Sequence, residues 1–431
     1  MNNTAVDAVS YSAGYGLTTG DRLFQGLAVL AIALEIVVFR EPAPVDLVIL
    51  LCLAAGLFLG KLVFAAVDKV CLVSLAIFAI ANLVSMYDPL DPERAVWYVF
   101  VTLYLIGSWF FFVGSIGQYG PTFLASLISM YCFAGLISAF LGVGGYFHFL
   151  PYPDVLLLTG RARGLFKDCN VYGPYFVPMA LFALTRMMNG AVAWRSKMVS
   201  LTFFLAAVAG MLLSFSRACW LNFGVAVVIF FAAQLVFATP GAWPRLRTGA
   251  IVVIAGAISV FWLSDTAAVS QMLKLRVTSN GFQRYDEARF ATQTLAWETA
   301  QKRPLGIGPG QAEMVFGYAT HNMYMRVLSE NGWVALIALL VFLGATVARA
   351  CSVIRNTRDE WIREVNLVAL ACIVGHLANS LVIDTVHWRH IWFVYALPWV
   401  YLPVPEFSRR LRLKRRPTFE REAGYATLAE S

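Results

Sequence analysis

Arginine side chains cluster in a short segment that precedes a long apolar run. Residues 160–176 read GRARGLFKDCNVYGPYF, in which Arg161 and Arg163 stand close to Asn170. Guanidinium groups bind anions, and so do the unpaired backbone N–H groups at the start of a helix. The segment therefore predicts an anion site beside a helix N-terminus, and a solvated loop with interfacial anchors is the alternative.

Another arginine lies in a tight turn between two apolar runs. Residues 214–220 read SFSRACW, in which Arg217 follows two serines that can cap helix ends. A guanidinium near membrane depth costs free energy unless it is paired or functional. Arg217 is therefore a second candidate for anion binding, and snorkelling of its side chain to the interface is the alternative.

Segment 265–331 is the one long connection between apolar runs. Its residues 284–300, RYDEARFATQTLAWETA, have a helical pattern, and we expect residues 303–310, RPLGIGPG, to end that helix. We call residues 303–310 the glycine-rich loop. Loops as long as this one are usually functional in a compact protein. Arg284 and Arg289 on the predicted helix are candidate anion ligands, or else members of a surface ion-pair set.

His321 and Asn322 stand in the last part of the same long connection, shortly before the next apolar run. A neutral imidazole accepts a proton near pH 7, which an arginine does not, so His321 is the candidate general base. We include Asn322 among the candidate substrate-binding residues. A structural role is the alternative for His321, as it is for the other histidines.

Other common chemistries have no signature in the sequence. There is no phosphate-binding loop with its lysine, no dinucleotide fingerprint and no cluster of metal ligands. The seven cysteines are scattered without CxxC spacing, so they indicate neither a metal site nor a disulfide framework. We therefore expect no metal and no cofactor, and arginines rather than a cation would have to hold a pyrophosphate.

A membrane domain must position these residues. Of 431 residues, 59% are apolar and 13% are charged, whereas roughly a quarter are charged in a soluble domain. This composition excludes an ordinary soluble enzyme, a disordered chain and a secreted disulfide scaffold. Because a spanning helix needs roughly 20 apolar residues, we predict an all-α polytopic membrane protein with about twelve transmembrane helices. The apolar runs lie approximately at 23–39, 45–66, 70–86, 95–114, 121–142, 171–188, 198–214, 219–237, 249–264, 332–348, 365–383 and 389–403.

Lysine and arginine set the predicted orientation. The chain ends in a basic tail that contains SRRLRLKRRP, and three loops on the same side are also basic, so this side faces the cytoplasm by the positive-inside rule. We predict a cytoplasmic N-terminus at 1–22, a membrane domain at 23–403 with its long loop at 265–331 outside, and a cytoplasmic tail at 404–431. The net charge of +8 then reflects the membrane and indicates no nucleic acid.

In this order, the four segments resemble those of the bacterial O-antigen ligase and polysaccharide polymerase superfamily. The resemblance extends from about residue 160 to about residue 345 and is carried by RARGLFKDCNVYGPY, SFSRACW, ARF…W…RPLGIGPG and HNMYMRVLSENGW. His321, Asn322 and Gly332 match the ligase pattern H-[NSQ]-x9-G-x-x-[GTY], whereas Ala335 departs from its final position. Each segment is weak by itself, but four in register are fairly specific.

The resemblance implies an all-helical fold like that of the C-type lipid-dependent glycosyltransferases, in a bacterial inner membrane with the active site at the periplasmic face. It also implies a glycan donor on undecaprenyl diphosphate, metal-independent transfer and inversion at the anomeric carbon. By this resemblance Arg217 and Arg289 would bind the diphosphate. Arg161 or Arg163 would match the arginine of the first segment, and His321 would assist the acceptor hydroxyl.

Three functions are compatible with these features. A repeat-unit polymerase for exopolysaccharide or O-antigen would use another lipid-linked glycan as acceptor, and an O-antigen ligase would use the lipid A core of lipopolysaccharide. A flippase for lipid-linked oligosaccharides belongs to a different class, and it should have basic residues within its spans, lining a cavity. Because the arginines gather at one face of the predicted membrane domain, we favour a glycosyltransferase, with the polymerase first.

Overall fold

The chain folds as a mostly helical protein in a computed structural model. The structure describes residues 17–400 apart from residues 40, 239–241, 267–268, 272–273 and 275–278, and it does not describe the side chains of residues 263 and 279–286. The predicted cytoplasmic tail at 404–431 and most of the predicted N-terminal segment at 1–22 lie outside the described residues.

The described elements begin with six helices, continue through a short hairpin and end with a further nine helices. Those before the hairpin are α1 Thr19–Leu34, α2 Pro44–Phe58, α3 Lys69–Val84, α4 Pro92–Tyr119, α5 Pro121–Tyr146 and the single turn α6 Pro153–Leu156. The hairpin pairs β1 Leu157–Leu158 with β2 Arg161–Ala162 in antiparallel register. Those after it are α7 Cys169–Met188, α8 Trp194–Leu213, α9 Arg217–Val236, α10 Ala242–Ser264, α11 Ser279–Lys302, α12 Ala312–Phe316, α13 Met323–Asn356, α14 Glu360–Asn379 and α15 Arg389–Ala396.

Within the described residues, eight helices are long and apolar enough to cross a membrane. They are α3, α4, α5, α8, α9, α10, α13 and α14. The polytopic helical class is therefore confirmed, but the predicted count of about twelve spans is not. Helices α1 and α2 contain 16 and 15 residues, so they are about 24 and 22 Å long, shorter than a hydrocarbon core of roughly 30 Å.

The last predicted span is 389–403, and its described part, residues 389–400, contains no helix of membrane length. Helix α15 has 8 residues, or about 12 Å, and a short 3-10 turn at Leu397–Trp399 follows it. Its side chains are apolar because they pack inside the protein: Trp392 and Trp399 are fully buried and lie close to the rings of Phe342 and Trp109. The apolar residues of this run therefore belong to the protein core. The predicted orientation counted this run as a span, and it stays a prediction.

A buried ion pair joins this short helix to helix α2. The guanidinium of Arg389 donates to both carboxylate oxygens of Asp46, at 2.6 and 2.8 Å. Both side chains are buried, and removing one partner of such a pair typically costs about 3–5 kcal/mol because the other charge is left unpaired. Asp46 thereby joins α2 to α15 across the core.

The helix predicted within the long connection is present as α11, and it ends just before the glycine-rich loop as expected. That loop packs against an interruption in α13 at Gly332, where φ is 82° and ψ is 179°. The Gly308 N–H donates to the carbonyl of Glu330 at 3.0 Å, and the Trp333 N–H donates to the carbonyl of Pro304 at 3.1 Å. The backbone groups freed by the break therefore bond to the loop.

Two glycines allow this close approach. A Cβ atom on Gly332 would overlap the Pro304 carbonyl oxygen, and one on Gly306 would overlap the Glu330 carbonyl oxygen. Both residues also have positive φ angles, of 82° and 92°, which side chains other than hydrogen disfavour. The glycines of this segment are thus explained by backbone packing.

We expect Gly332→Ala to lower the thermal stability of the purified protein. Its backbone conformation costs a residue with a side chain about 1–3 kcal/mol, and the added methyl group would displace the glycine-rich loop. Gly344→Ala on the same helix is the matched control, because its added Cβ meets no atom within 4 Å. Melting temperatures in detergent test this expectation, and equal values for Gly332→Ala and the wild type would contradict it.

Candidate active site

A cavity of about 330 Å³ brings together residues from five separate parts of the chain. Its walls come from the segment of β2 and the start of α7, the turn before α9 with the start of that helix, helix α11, the loop before α13 and the loop after α14. We call it the arginine cavity. Among its lining residues, the predicted candidates are Arg161, Asn170, Arg217, Arg289 and His321.

Arg161 is held at the wall by a buried hydrogen-bond network. Its Nε donates to the carbonyl of Ser214 at 2.7 Å, and its Nη2 donates to Asn170 Oδ1 at 3.1 Å. Ser216 Oγ donates to the same Asn170 oxygen at 2.8 Å. The short hairpin, the start of α7 and the turn before α9 are therefore locked together around one face of the cavity.

Three helices begin at this cavity. Asn170 lies in the first turn of α7, Arg217 is the first residue of α9 after its N-cap Ser216, and His321 lies just before α13. Each helix N-terminus adds partial positive charge and unpaired N–H groups. Together with three arginines, and no Asp or Glu among the described lining residues, they make a site suited to an anion such as a diphosphate.

Arg289 and His321 meet at the opposite wall. Arg289 Nη2 donates to the carbonyl of Val382 and lies 3.5 Å from the carbonyl of His321. The His321 backbone has a φ of 47°, in the left-handed region that histidine seldom adopts. The residue before it is fixed by a hydrogen bond, because the Gln293 side chain donates to the Thr320 carbonyl at 3.2 Å.

Burial and the positive charge of Arg289, in that order, lower the pKa of His321 below its ordinary value of 6.5. Both effects disfavour the imidazolium. Weaker opposing effects come from the carboxylates of Asp384, Asp168 and Glu313. The imidazole is therefore neutral near pH 7 and able to accept a proton.

Two other predicted residues, Arg163 and Asn322, do not line the cavity, and the side chain of a third, Arg284, is outside the described residues. Arg163 Nε donates to the carbonyl of Val155 at 3.2 Å, so Arg161 is the arginine of the first segment that faces the cavity. Asn322 caps α13 by accepting from the Met325 N–H at 3.0 Å. Arg284 lies on α11, but its side chain is outside the described residues.

Asn322 has a second structural contact, because its Nδ2 donates to the carbonyl of Leu381 at 3.1 Å. Both polar atoms of its amide are thus used to fix the start of α13 and the loop after α14. Asn322 positions its neighbour His321, and this capping role was not predicted from the sequence.

A second cavity, of about 430 Å³, adjoins the first. It is lined by five carboxylates and several aromatic rings, and we call it the carboxylate cavity. The carboxylates are Glu35, Glu41, Asp168, Glu313 and Asp384. The two cavities lie close together, because Asp384 directly follows Ile383 and Asp168 is two residues from Asn170, and both Ile383 and Asn170 line the arginine cavity.

The sequence reasoning missed the buried residue that organises this second cavity. Arg326 is 6% exposed, and its guanidinium bonds to Asp384 at 2.6 Å, Glu313 at 3.0 Å and Glu330 at 3.2 Å. The guanidinium carbon of Arg326 also lies 5.2 Å from the centre of the Tyr98 ring. The available signal was an Arg–Glu pair at i, i+4 inside a mostly apolar segment.

The arrangement suits transfer chemistry on an anionic leaving group. Guanidinium groups stabilise negative charge where it develops, and a neutral imidazole in the same cavity accepts a proton. Within the described residues, no three His, Cys, Asp or Glu side chains lie close enough together to hold a metal ion.

We expect Arg217→Ala to weaken the binding of inorganic pyrophosphate to the purified protein. The loss of one charge-assisted hydrogen bond, about 1.5–3 kcal/mol, corresponds to a Kd higher by roughly tenfold or more. Arg303→Ala is the matched control, because Arg303 is exposed and pairs only loosely with Asp88, at 3.5 Å. Isothermal titration tests the difference, and an unchanged Kd for Arg217→Ala would remove Arg217 from the anion site.

A comparison with known protein families finds a match that includes most of the segments that form this cavity. Residues 201–340 match a family model described as O-Antigen ligase. The match contains Arg217, Arg289 and His321, while Arg161 and Asn170 lie before it. No match was found among curated proteins. The matched region supplies most of the arginine cavity and indicates a ligase or polymerase type of function in polysaccharide biosynthesis. It supports the resemblance of this chain to the O-antigen ligase-related superfamily.

Proposed function

We propose that the protein transfers a glycan from undecaprenyl diphosphate to a saccharide acceptor at the periplasmic face of a bacterial inner membrane. The favoured candidate is a repeat-unit polymerase, and an O-antigen ligase is the alternative. The observation that carries this proposal is the convergence of Arg161, Arg217, Arg289 and His321 in one cavity. These residues come from segments far apart in the chain, and their joint chemistry fits a sugar diphosphate.

In the proposed reaction, the diphosphate of the donor binds in the arginine cavity. The acceptor hydroxyl attacks the anomeric carbon while the bond between that carbon and the diphosphate oxygen breaks. The electron pair leaves with the diphosphate, and Arg217 and Arg289 stabilise the charge that it gains. Arginine suits this role because it binds phosphate in bidentate fashion and stays charged. One displacement of this kind inverts the anomeric carbon, and the arginines take the charge-neutralising role that a divalent cation has elsewhere.

His321 is the proposed acceptor of the hydroxyl proton. Its burial and its proximity to Arg289 keep the imidazole neutral, and its backbone is fixed between Thr320 and the cap residue Asn322. The lipid tail of the donor requires a groove open to the bilayer, which is consistent with a site where α7, α9 and α13 begin.

A deletion strain tests the proposed function directly. Loss of a polymerase should leave single-repeat glycans at the cell surface, whereas loss of an O-antigen ligase should leave long chains on undecaprenyl diphosphate. Profiling both glycan pools by length separates these two outcomes. Loss of a flippase should instead retain single repeats on the lipid at the cytoplasmic face, and an unchanged profile would contradict the proposal.

We expect the transfer rate of the wild type to fall as the pH is lowered through a value below 6.5, because protonated His321 cannot accept a proton. His321→Ala should lose roughly 10²–10⁴ in rate and should lack this acid limb, while pyrophosphate affinity is retained. His148→Ala, which changes an exposed histidine, is the matched control. The same acid limb in His321→Ala would assign His321 a positioning role instead.

A further inference from the structure

The carboxylate cavity has a chemistry opposite to that of the arginine cavity. Its lining contains five carboxylates and three cationic side chains, Lys167, Arg326 and Arg389. It also contains the rings of Trp97 and Trp388. A site with more carboxyl groups than cationic side chains disfavours a second diphosphate but suits hydroxyl groups, because carboxyl oxygens accept hydrogen bonds from them.

Glu35 is the clearest sign that this cavity binds a ligand. It is 2% exposed, it lines the cavity, and neither carboxylate oxygen has a hydrogen-bond partner among the described residues. Burial raises the pKa of Glu35 to about 8, although Arg389, which already makes a bidentate pair with Asp46, lowers it in part. Near pH 7 the group is therefore mostly a neutral carboxylic acid, which both accepts and donates hydrogen bonds. Buried polar groups are nearly always hydrogen-bonded, so these two oxygens are available to hydroxyl donors.

The aromatic side chains add flat apolar surfaces to the same space. The Trp97 ring is 39% exposed and lies nearly parallel to that of Phe100. Trp388 stacks on the imidazole of His390 at an interplanar angle of 27°. Aromatic faces beside convergent polar groups are the usual composition of a small-molecule site, and a sugar ring presents both C–H faces and hydroxyl edges.

The position of this cavity relative to His321 gives it a place in the reaction. Asp384, Asp168 and Glu313 all line it, and all three affect the His321 imidazole electrostatically. His321 itself lines the arginine cavity. The imidazole therefore lines the anion site and is near enough to the carboxylate cavity to be influenced by its charges.

We infer that the carboxylate cavity binds the terminal sugar of the glycan acceptor, with Glu35 forming hydrogen bonds to its hydroxyls and Trp97 contacting its ring. This inference rests on the proposed function, since it identifies the acceptor side of that transfer. The absence of a three-ligand cluster among the described residues makes a neutral saccharide a better occupant than a cation.

The test uses the purified full-length protein and an oligosaccharide repeat released from the surface polysaccharide of the source organism. Glu35→Gln and Trp97→Ala should each weaken oligosaccharide binding about tenfold and raise the acceptor KM, with the donor KM and pyrophosphate Kd unchanged. Arg217→Ala should have the opposite pattern. Trp97→Phe, which keeps an aromatic face, should retain most of the affinity.

Glu364→Gln is the matched control, because this partly buried carboxylate lies away from both cavities. Its oligosaccharide affinity should equal that of the wild type. Unchanged pyrophosphate binding in the two cavity variants shows that they are folded.

Oligosaccharide binding of equal strength in the wild type, Glu35→Gln and Trp97→Ala would overturn the inference and leave the proposed function standing. Its loss in Arg217→Ala as well would place the sugar in the arginine cavity and also overturn it. If Glu35→Gln weakens the binding of calcium but not that of the oligosaccharide, the cavity is assigned to a cation instead. A wild type that transfers no glycan contradicts the proposed function, and the oligosaccharide titrations still decide the inference.

Discussion

The buried guanidinium of Arg326 is the interaction on which both cavities depend. It bonds to Glu330 one turn later in α13, to Glu313 in α12 and to Asp384 in the loop after α14. A guanidinium this deeply buried is costly unless several acceptors surround it, so these three segments are held in one arrangement. Glu330 in turn accepts from the backbone N–H groups of Gly310 and Ala312, at 2.8 and 3.0 Å.

The consequences of this network reach the arginine cavity through the backbone. Asp384 directly follows residues 381–383, which line that cavity. Arg326 lies on the first turns of α13, whose cap residue follows His321. The same charge cluster that shapes the carboxylate cavity therefore fixes two walls of its neighbour. Arg94 extends the network to α4 by pairing with Glu313 at 2.8 Å.

The two cavities differ in charge, and this difference can distinguish the donor from the acceptor. Positive side chains and helix N-termini face one cavity, whereas carboxyl groups outnumber cationic side chains in the other, which lies close by. In the proposed reaction the leaving group is anionic and the nucleophile is a hydroxyl, so each partner meets the environment that suits it. Because the arginine cavity is partly enclosed by protein, its electrostatic effects are stronger than they would be in bulk water.

The sequence by itself determined the membrane class and indicated the chemistry that is proposed for the site. Composition required a polytopic helical protein, because so few charged residues cannot cover a soluble surface of this size. The types and order of Arg161, Arg217, Arg289 and His321 indicated an anion site with a base. These signals are local: each depends on a residue type beside a helix start or a turn, which short-range spacing reveals.

Only the tertiary structure decided which candidates share a cavity and which apolar runs are core. Arg161 and Arg163 are equivalent by spacing, but the hairpin turns one toward the cavity and the other toward Val155. The run at 389–403 has the composition of a span, yet α15 is buried by protein, and hydropathy does not distinguish lipid from a protein interior. Arg326 and Glu35 acquire their importance from partners far away in the chain, and the contacts of Arg326 with residues up to 58 positions away arise only when the chain is folded.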